Sequence, residues 1–212
     1  MPHFQPIGGL FFVTFRLANS LPKEILHAYF KERTQRLSKI NPANKPFFYN
    51  EQKRLFAKFD NYLDRCMTAE NWLNIPEIAG KVASTIRHFD GLRYELICYT
   101  VMPNHVHLVM DLELQVDSDL WTENVPTNEE NYHQLYQILK SIKNYSARQC
   151  NELLDRSGTF WQKESYDHLV RDDRELANII AYTLNNPVKA GLTTHWQEWK
   201  FSYVSPKFEI DF

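Results

Sequence analysis

The chain has 212 residues, a formal net charge of −2 and an aromatic content of 14%. No apolar run approaches the roughly 20 residues of a membrane-spanning helix, and the first residues lack the basic-then-apolar order of a secretory signal. The three cysteines, Cys66, Cys98 and Cys150, lie far apart and form no Cys-x-x-Cys pair. These features argue against a membrane-spanning or disulfide-stapled protein, and we expect a cytoplasmic protein with reduced, buried thiols.

The first predicted elements are a strand and two helices. Alternating side chains predict a strand over residues 11–17, and Ser20 and Pro22 open a helix that runs to about residue 37. A Pro- and Asn-rich break precedes a second, polar helix over 51–63. Residues 23–58 carry nine basic side chains against three glutamates. This asymmetry creates a basic face or is ordinary solvated helix surface, and we interpret residues 21–65 as a helical basic elaboration.

The rest of the chain alternates helices and strands, with an acidic segment to about residue 130 that we interpret as a loop. The predicted elements are a helix over 76–89, a strand over 94–101, a strand over 105–110, a helix over 132–154, a strand over 164–170 and a helix over 172–187. This order predicts an α+β fold, a ferredoxin-like antiparallel sheet with helices packed on one face. We expect one domain over residues 1–212, with a C-terminal extension over about 193–212.

Two histidines one residue apart carry the clearest chemical signal. They lie in the segment Met102-Pro103-Asn104-His105-Val106-His107-Leu108-Val109-Met110. On a strand, His105 and His107 share one side with Val109, while the residues between them face a core. Two imidazoles held side by side can chelate one divalent cation. The alternative is a pair of polar residues on the wet face of a half-buried strand.

The last helix supplies a candidate nucleophile. Its apolar stripe consists of Leu176, Ala177, Ile180 and Leu184. At roughly 100° per residue, Tyr182 lies about 200° from Ile180, on a polar side that also carries Asn178, Asn185 and Asn186. One helical turn brings the amide of Asn186 beside the phenol. The alternative is an ordinary exposed tyrosine.

A phenol has a pKa near 10 and is a poor nucleophile without help. A cation held by two histidines and an amide oxygen could grip a scissile phosphate while Tyr182 attacks in line. The product would be a phosphotyrosine link, which conserves the bond energy for later strand joining. The sequence by itself does not place the last helix near His105 and His107.

These residues resemble the single-tyrosine transposases of small insertion sequences, through the His-hydrophobic-His motif at 102–107. Further blocks match in the same order, namely Phe11-Phe12-Val13-Thr14, Phe59-Asp60-Asn61-Tyr62-Leu63-Asp64, Lys143-Asn144-Tyr145-Ser146-Ala147-Arg148, Gly158-Thr159-Phe160-Trp161-Gln162-Lys163-Glu164, Tyr166-Asp167-His168, Arg171, and Tyr182-Thr183-Leu184-Asn185-Asn186-Pro187-Val188-Lys189-Ala190-Gly191-Leu192. The resemblance covers about residues 8–203. It is closest to the branch associated with repetitive extragenic palindromes (REPs).

The resemblance implies an HUH nuclease-type sandwich that uses Mg²⁺ or Mn²⁺ to cleave single-stranded DNA near a hairpin. It implies that Tyr182 forms a 5′-phosphotyrosine and that His105 and His107 bind the metal. The third ligand in insertion-sequence relatives is typically a Gln four residues after the tyrosine, where this chain has Asn186. Its amide is shorter but offers the same oxygen donor. Rival ligands on the neighbouring strand are Glu164, Asp167 and His168.

Five residues are candidates for DNA binding. Lys143 and Arg148 could grip phosphates, Trp161 and Tyr166 could stack on unpaired bases, and Arg171 lies in a matching block. Solvated surface is the alternative for the two cations that flank Tyr145, and core packing is the alternative for the two aromatic residues. Tyr145 is the rival tyrosine, and we expect it to pack against its neighbours because it follows Ile142 at helical spacing.

Three functions remain open from the sequence. The first is a metal-dependent single-stranded DNA endonuclease and strand transferase with a tyrosine nucleophile. The second is a domesticated hairpin-DNA-binding protein without catalytic activity, and the third is an unrelated metallohydrolase that uses His-x-His. Relatives act as dimers or monomers, so a homodimer and a monomer both stay open.

Overall fold

The computed structural model describes residues 5–41, 44–66, 69–116 and 132–208. The helices and strands of these ranges are β1 (Leu10–Arg16), α1 (Lys23–Ser38), α2 (Lys45–Arg65), α3 (Pro76–His88), β2 (Glu95–Val101), β3 (His105–Asp111), α4 (Leu135–Leu153), β4 (Tyr166–Leu169), α5 (Asp173–Lys189) and β5 (Ser202–Val204). Most of the acidic segment that we interpreted as a loop lies outside the described residues.

The strands form one antiparallel sheet in the order β4-β1-β3-β2-β5. Its first four positions have the order of a ferredoxin-like sheet, so the predicted α+β fold is confirmed. The edge strand β5 was not predicted, because three residues are too few to show an alternating pattern. It pairs with β2 through Tyr99 and Tyr203, and Trp199 Nε1 donates a hydrogen bond of 3.0 Å to the backbone oxygen of Val101.

Helices cover both faces of the sheet, so the prediction of one covered face is wrong. On the first face, alternate residues of β1 and β3 pack with α3 and α4 in the main core. On the second face, Phe12, Ile97 and Val109 pack with Ile180 and Leu184 of α5. Both sides of these strands carry buried side chains, and such a sheet needs cover on each face. The histidine side of β3 therefore lies inside the protein.

Two helices extend beyond their predicted ends. α2 begins at Lys45 rather than near residue 51, and Asn44 caps it by accepting a 3.3 Å hydrogen bond from the backbone N–H of Phe47. α5 continues through Pro187 to Lys189. A proline removes only one helical hydrogen bond, and this close to the C-terminus the helix continues past it. Asn186 therefore lies on the helix, in register with Tyr182.

The described ranges also bear on the expectations drawn from composition. Each helix within them is too short or too polar to cross a lipid bilayer. Cys66, Cys98 and Cys150 are all buried, as predicted, and no disulfide joins them.

Trp161 belongs to the main core. It is 5% exposed, its ring meets Phe15 edge-on with centroids 4.8 Å apart, and its Nε1 donates a 2.9 Å hydrogen bond to Oγ of Ser146. We expect Trp161→Ala to lower the free energy of unfolding by about 3–5 kcal/mol, the usual cost of emptying such a site. Urea denaturation checks this, and an unchanged midpoint would contradict the buried position.

Candidate active site

The two histidines of β3 meet at their outer nitrogens. His105 and His107 are both fully buried, and Nε2 of one lies 3.1 Å from Nε2 of the other. Their rings are nearly perpendicular, with centroids 4.7 Å apart. The alternative of two polar residues on a wet strand face is therefore wrong, because α2 and α5 cover this face.

Both rings form hydrogen bonds at their inner nitrogens, and the bond of His105 fixes its tautomer. Nδ1 of His105 lies 2.6 Å from Oδ1 of Asn104, and Nδ1 of His107 lies 2.8 Å from Oγ1 of Thr14. An amide oxygen can only accept, so His105 carries its proton on Nδ1 and presents a lone pair on Nε2. Burial and the nearby His107 lower the pKa of His105 to about 3, so this ring is neutral near pH 7.

Asn104 also fastens the histidine strand to α2. Its Nδ2 donates hydrogen bonds to the backbone oxygens of Leu63, at 2.9 Å, and Cys66, at 3.3 Å. These two carbonyls lie at the C-terminal end of α2. One side chain in the turn before the histidines therefore orients His105 and positions the helix that carries Asp60 and Asp64.

Asp60 brings a carboxylate to the histidine pair. The residue is fully buried, and its Oδ1 lies 3.3 Å from Nε2 of His107 and 3.8 Å from Nε2 of His105. Burial alone would raise the pKa of Asp60, but interactions with both histidines and a hydrogen bond from Tyr182 outweigh it and hold the pKa well below its usual range. Asp60 is therefore a buried carboxylate anion.

Asp64 lies one turn further along α2. Its Oδ1 is 3.8 Å from Nε2 of His105, and its Oδ2 forms a 2.8 Å ion pair with Nζ of Lys189. Burial and the charge of Asp60 raise its pKa. Lys189 Nζ also lies 3.7 Å from Oδ2 of Asp60, so one lysine of α5 partly neutralises both carboxylates.

Tyr182 projects from α5 into this cluster. Its hydroxyl donates a hydrogen bond to Oδ2 of Asp60, and its ring centroid lies 5.7 Å from that of His107. The ring is half-buried and meets Phe12 edge-on. Burial, and after it the charge and hydrogen bond of Asp60, raise the pKa of Tyr182 above its usual value near 10. The phenol is therefore neutral at physiological pH.

Asn186 stands one turn after Tyr182 and is fully buried. Its Nδ2 lies 3.0 Å from Nε2 of His107 and 3.2 Å from Oδ2 of Asp60, while its Oδ1 has no hydrogen-bond partner. A half-turn of the amide would present Oδ1 to the same centre. The assignment of Asn186 as third ligand stays a prediction.

The donor set at this centre suits a divalent cation. One atom each from Asp60, His105 and His107 lie within 4.8 Å of one another. Oδ1 atoms of Asp60, Asp64 and Asn186 are buried without a hydrogen-bond partner. The Nε2 atoms of the two histidines lie only 3.1 Å apart, a separation that needs a proton or a cation between them. A carboxylate oxygen with two imidazoles is a donor set that can hold a divalent cation.

The rival ligands lie away from this centre. Oε2 of Glu164 accepts a hydrogen bond from Gln162, and Oδ2 of Asp167 accepts one from Gln5. His168 bonds to Tyr49 and Glu175. Within the described residues, the cluster of candidate ligands includes none of Glu164, Asp167 and His168.

The residues predicted to bind DNA fall into separate places. Nζ of Lys143 donates hydrogen bonds to the backbone oxygens of Gln162 and Lys163 and to Ser165 Oγ, at 3.0, 3.1 and 2.6 Å, and burial lowers its pKa to about 8. Trp161 lies in the core, and Arg148 is exposed on α4 beside Glu152. Tyr145 is 55% exposed, so the expectation that it packs is wrong.

Tyr166 and Arg171 line a cleft beside Tyr182. The ring of Tyr166 stacks on Phe56 of α2 with centroids 3.9 Å apart, and the guanidinium of Arg171 lies 3.7 Å from the ring centroid of Tyr49. Both residues contact side chains of α2, the helix in the segment that we interpreted as a basic elaboration. The structure thus brings Tyr166, Arg171 and Tyr182 to one side of the protein, away from Arg148.

A polar cluster holds α2 against α5 at the outer end of this cleft. Oε1 of Glu175 accepts hydrogen bonds from Tyr49, at 2.6 Å, and Lys53, at 2.5 Å. Although burial opposes ionisation, these bonds lower the pKa of Glu175 from 4.5 to about 2. Asp172 caps α5 by accepting a 2.8 Å hydrogen bond from the Glu175 backbone N–H. Glu175 does not form a capping box with Asp172, because its Oε2 accepts from the backbone N–H of Arg171.

The lowered pKa of Glu175 gives a pH-dependent prediction. A carboxyl group with a depressed pKa stabilises the fold above its unfolded pKa of about 4.5 and loses that effect as the pH falls through about 2. We therefore expect Glu175→Gln to lower the free energy of unfolding at pH 6, and the difference from wild type to shrink by pH 3. Urea denaturation at both pH values measures it, and an equal difference at both would contradict the ion pair.

Sequence reasoning missed Asp60 as a site residue. The signal was present, since Asp60 and Asp64 stand four residues apart in a block that matched the transposases. Such spacing places both carboxylates on one face of a helix. Nothing in the sequence alone brought that face to the histidine strand, because its position depends on tertiary contacts such as the hydrogen bonds of Asn104.

Comparison with known proteins agrees with the motifs. No family model matches the chain. A Haemophilus influenzae protein that is provisionally named a REP-associated tyrosine transposase is 28% identical over 134 residues, covering 60% of this chain and 67% of the relative. The chain is similar to REP-associated tyrosine transposases. The resemblance drawn from the sequence blocks is thereby confirmed.

Two further proteins are similar to this chain. A second Haemophilus influenzae protein, uncharacterised, is 25% identical over 147 residues, covering 66% of this chain and 69% of the relative. A solved structure of a REP-associated tyrosine transposase bound to a REP hairpin is 15% identical with a TM-score of 0.49, covering 95% of this chain and 80% of that one. The similarity to these transposases rests on the sequence match to the named relative.

Proposed function

We propose that this chain is a metal-dependent single-stranded DNA endonuclease and strand transferase, and that it acts at hairpin-bearing DNA through a 5′-phosphotyrosine on Tyr182. One observation carries the proposal. The Tyr182 hydroxyl and the Nε2 atoms of His105 and His107 converge on the two oxygens of Asp60. A phosphate that enters this space would meet the phenol and the candidate metal ligands together.

The two oxygens of Asp60 would serve two purposes. Oδ1 faces the histidines and would join them as a metal ligand, while Oδ2 accepts the hydrogen bond of Tyr182. The phenol enters the reaction neutral because its pKa is raised, so its proton must leave as the new bond forms. The carboxylate of Asp60 stands where it can accept that proton.

Strand cleavage then balances with the residues at hand. The Tyr182 oxygen bonds to phosphorus, the bond from phosphorus to the 3′-oxygen breaks, and the leaving oxygen takes up a proton to become a free hydroxyl. A bound divalent cation supplies charge neutralisation at the phosphate. Lys189, 5.6 Å from the centroid of the Tyr182 ring, adds positive charge at the same place. Attack by a 3′-hydroxyl on the phosphotyrosine reverses these bonds and joins strands.

The proposed substrate follows from the name of the relative and from the chemistry of the site. REP sequences are palindromes, and a palindromic single strand folds into a hairpin with unpaired flanks. The basic helices α1 and α2 would contact the hairpin backbone through phosphates. The proposed cofactor is Mg²⁺ or Mn²⁺, and the proposed location is the cytoplasm. The protein would act either as a monomer or as a homodimer.

Adduct mapping tests the proposed function. The chain is incubated with Mn²⁺ and a single-stranded oligonucleotide that carries a REP-like hairpin, then digested and analysed by mass spectrometry. We expect a covalent nucleotide adduct on Tyr182 and a released strand that ends in a 3′-hydroxyl. Tight hairpin binding without any adduct would instead favour a domesticated binding protein, and an adduct on another residue would overturn the assigned nucleophile.

A further inference from the structure

A cleft of about 470 Å³ opens beside Tyr182, between α2, β4 and α5. Its size lies in the range of sites that hold one small ligand, roughly 300–1,000 Å³. Tyr182, Lys53, Arg171 and Arg174 are among the residues that line the cleft. Because Tyr182 is the proposed nucleophile, a ligand bound in this cleft would lie next to the scissile phosphate.

Aromatic rings form the walls of this cleft. Phe56 of α2 and Tyr166 of β4 stack at 3.9 Å, and Phe12 meets Phe56 edge-on at 5.6 Å and Tyr182 edge-on at 6.0 Å. Ile179 adds an aliphatic surface. Flat apolar walls of this kind suit stacking with the face of a nucleobase. All four bases have such a face, so this contact does not depend on the DNA sequence.

The polar residues of the cleft fit the rest of a nucleotide. Lys53, Arg171 and Arg174 provide three cations against the two carboxylates of Asp172 and Glu175. Both carboxylates already have internal partners, since Asp172 caps α5 and Glu175 binds Lys53 and Tyr49. Because Lys53 is paired with Glu175, the two arginines stand against Asp172 alone, and these five residues carry one net positive charge that a phosphate would complement. The exposed amide of Asn178 can bond to a base edge.

We propose that this cleft holds the base of one unpaired nucleotide that flanks the scissile phosphate. The inference rests on the proposed function, because it places the phosphate of that nucleotide at Tyr182. Its distinctive part is the contribution of α2, whose Phe56 and Lys53 build one wall. The basic elaboration between β1 and α3 thus binds the single strand next to the cleavage point.

A blocking variant tests the cleft without removing a packed side chain. Ala57 is an exposed residue of α2 that lines the cleft, so Ala57→Trp fills it, whereas Ala28→Trp places the same ring on the exposed face of α1. Both changes are made in Tyr182→Phe protein, so that no strand is cleaved. Fluorescence anisotropy then compares binding of fluorescein-labelled dT9 with that of a nine-residue abasic strand, which has the same phosphates and no bases.

We expect the Tyr182→Phe parent to bind dT9 about tenfold more tightly than the abasic strand, as loss of a stacked base predicts. Ala57→Trp should reduce this preference severalfold, and Ala28→Trp should keep it. The proposal that the cleft binds a base would be overturned if Ala57→Trp and Ala28→Trp preferred dT9 over the abasic strand equally. It would also be overturned if the parent showed no such preference. Adduct formation on Tyr182 of the wild-type protein would stand in either case, so the two proposals fail separately.

A crosslinking readout locates the base directly. A dT9 strand with one central 5-iodouracil is irradiated with the Tyr182→Phe protein, and the modified peptide is sequenced by mass spectrometry. We expect the crosslink on Phe56 or Tyr166, and its loss in Ala57→Trp with retention in Ala28→Trp. A crosslink confined to α1 or α4 would overturn the proposal.

Discussion

Tyr182→Phe is expected to abolish the covalent DNA adduct and to reduce strand cleavage by at least about 10³-fold, since no other group replaces a lost nucleophile. The change removes only the hydroxyl, and the ring keeps its contacts with Phe12 and Phe56. Cleavage of an end-labelled hairpin oligonucleotide with Mn²⁺, followed on a denaturing gel, measures the loss.

The control for this prediction is the other candidate tyrosine. Tyr145 is exposed on α4, and Tyr145→Phe should cleave at the wild-type rate. If Tyr182→Phe cleaves normally, or if Tyr145→Phe loses activity instead, Tyr182 is not the nucleophile. Binding of the uncleaved hairpin by Tyr182→Phe should stay close to that of wild type, because the hydroxyl points to Asp60 inside the protein.

Asp60→Asn is expected to weaken Mn²⁺ binding by at least about 10²-fold, since loss of a residue that only supports a metal ligand already costs ~10–100-fold. The substitution keeps the shape of the side chain and one acceptor oxygen for Tyr182. It removes the anionic oxygen that faces both histidines. Isothermal titration with Mn²⁺ measures the affinity without any DNA substrate.

Asp155→Asn is the matched control for Asp60→Asn. Asp155 is exposed and has a positive φ of 46°, a conformation that asparagine also tolerates. We expect unchanged Mn²⁺ affinity in this variant. Equal affinities in wild type, Asp60→Asn and Asp155→Asn would mean that Asp60 is no ligand.

Local periodicity was enough to predict the orientation of the key side chains. The two-residue period of β3 placed His105 and His107 on one side and the core residues on the other. The helical period of α5 separated Tyr182 from the stripe around Ile180 and placed Asn186 one turn away. These relations depend only on residues that are neighbours in sequence, so they can be predicted without knowledge of the tertiary fold.

Relations between distant elements were not available in the same way. Asp60 lies on a helix whose polar pattern indicated solvent, and tertiary contacts such as the hydrogen bonds of Asn104 and the packing of Phe56 on Phe12 bring that helix to the sheet. The sequence left base stacking and core packing both open for Trp161, and its contact with Phe15 places it in the core. Burial of the second sheet face likewise depends on where α2 and α5 pack.

Anomalous diffraction from crystals of the chain grown with Mn²⁺ tests the central claim most directly. We predict one manganese peak within bonding distance of Asp60 Oδ1 and of Nε2 of His105 and His107, beside the Tyr182 hydroxyl. A peak bound elsewhere, with this cluster empty at saturating Mn²⁺, would contradict the account.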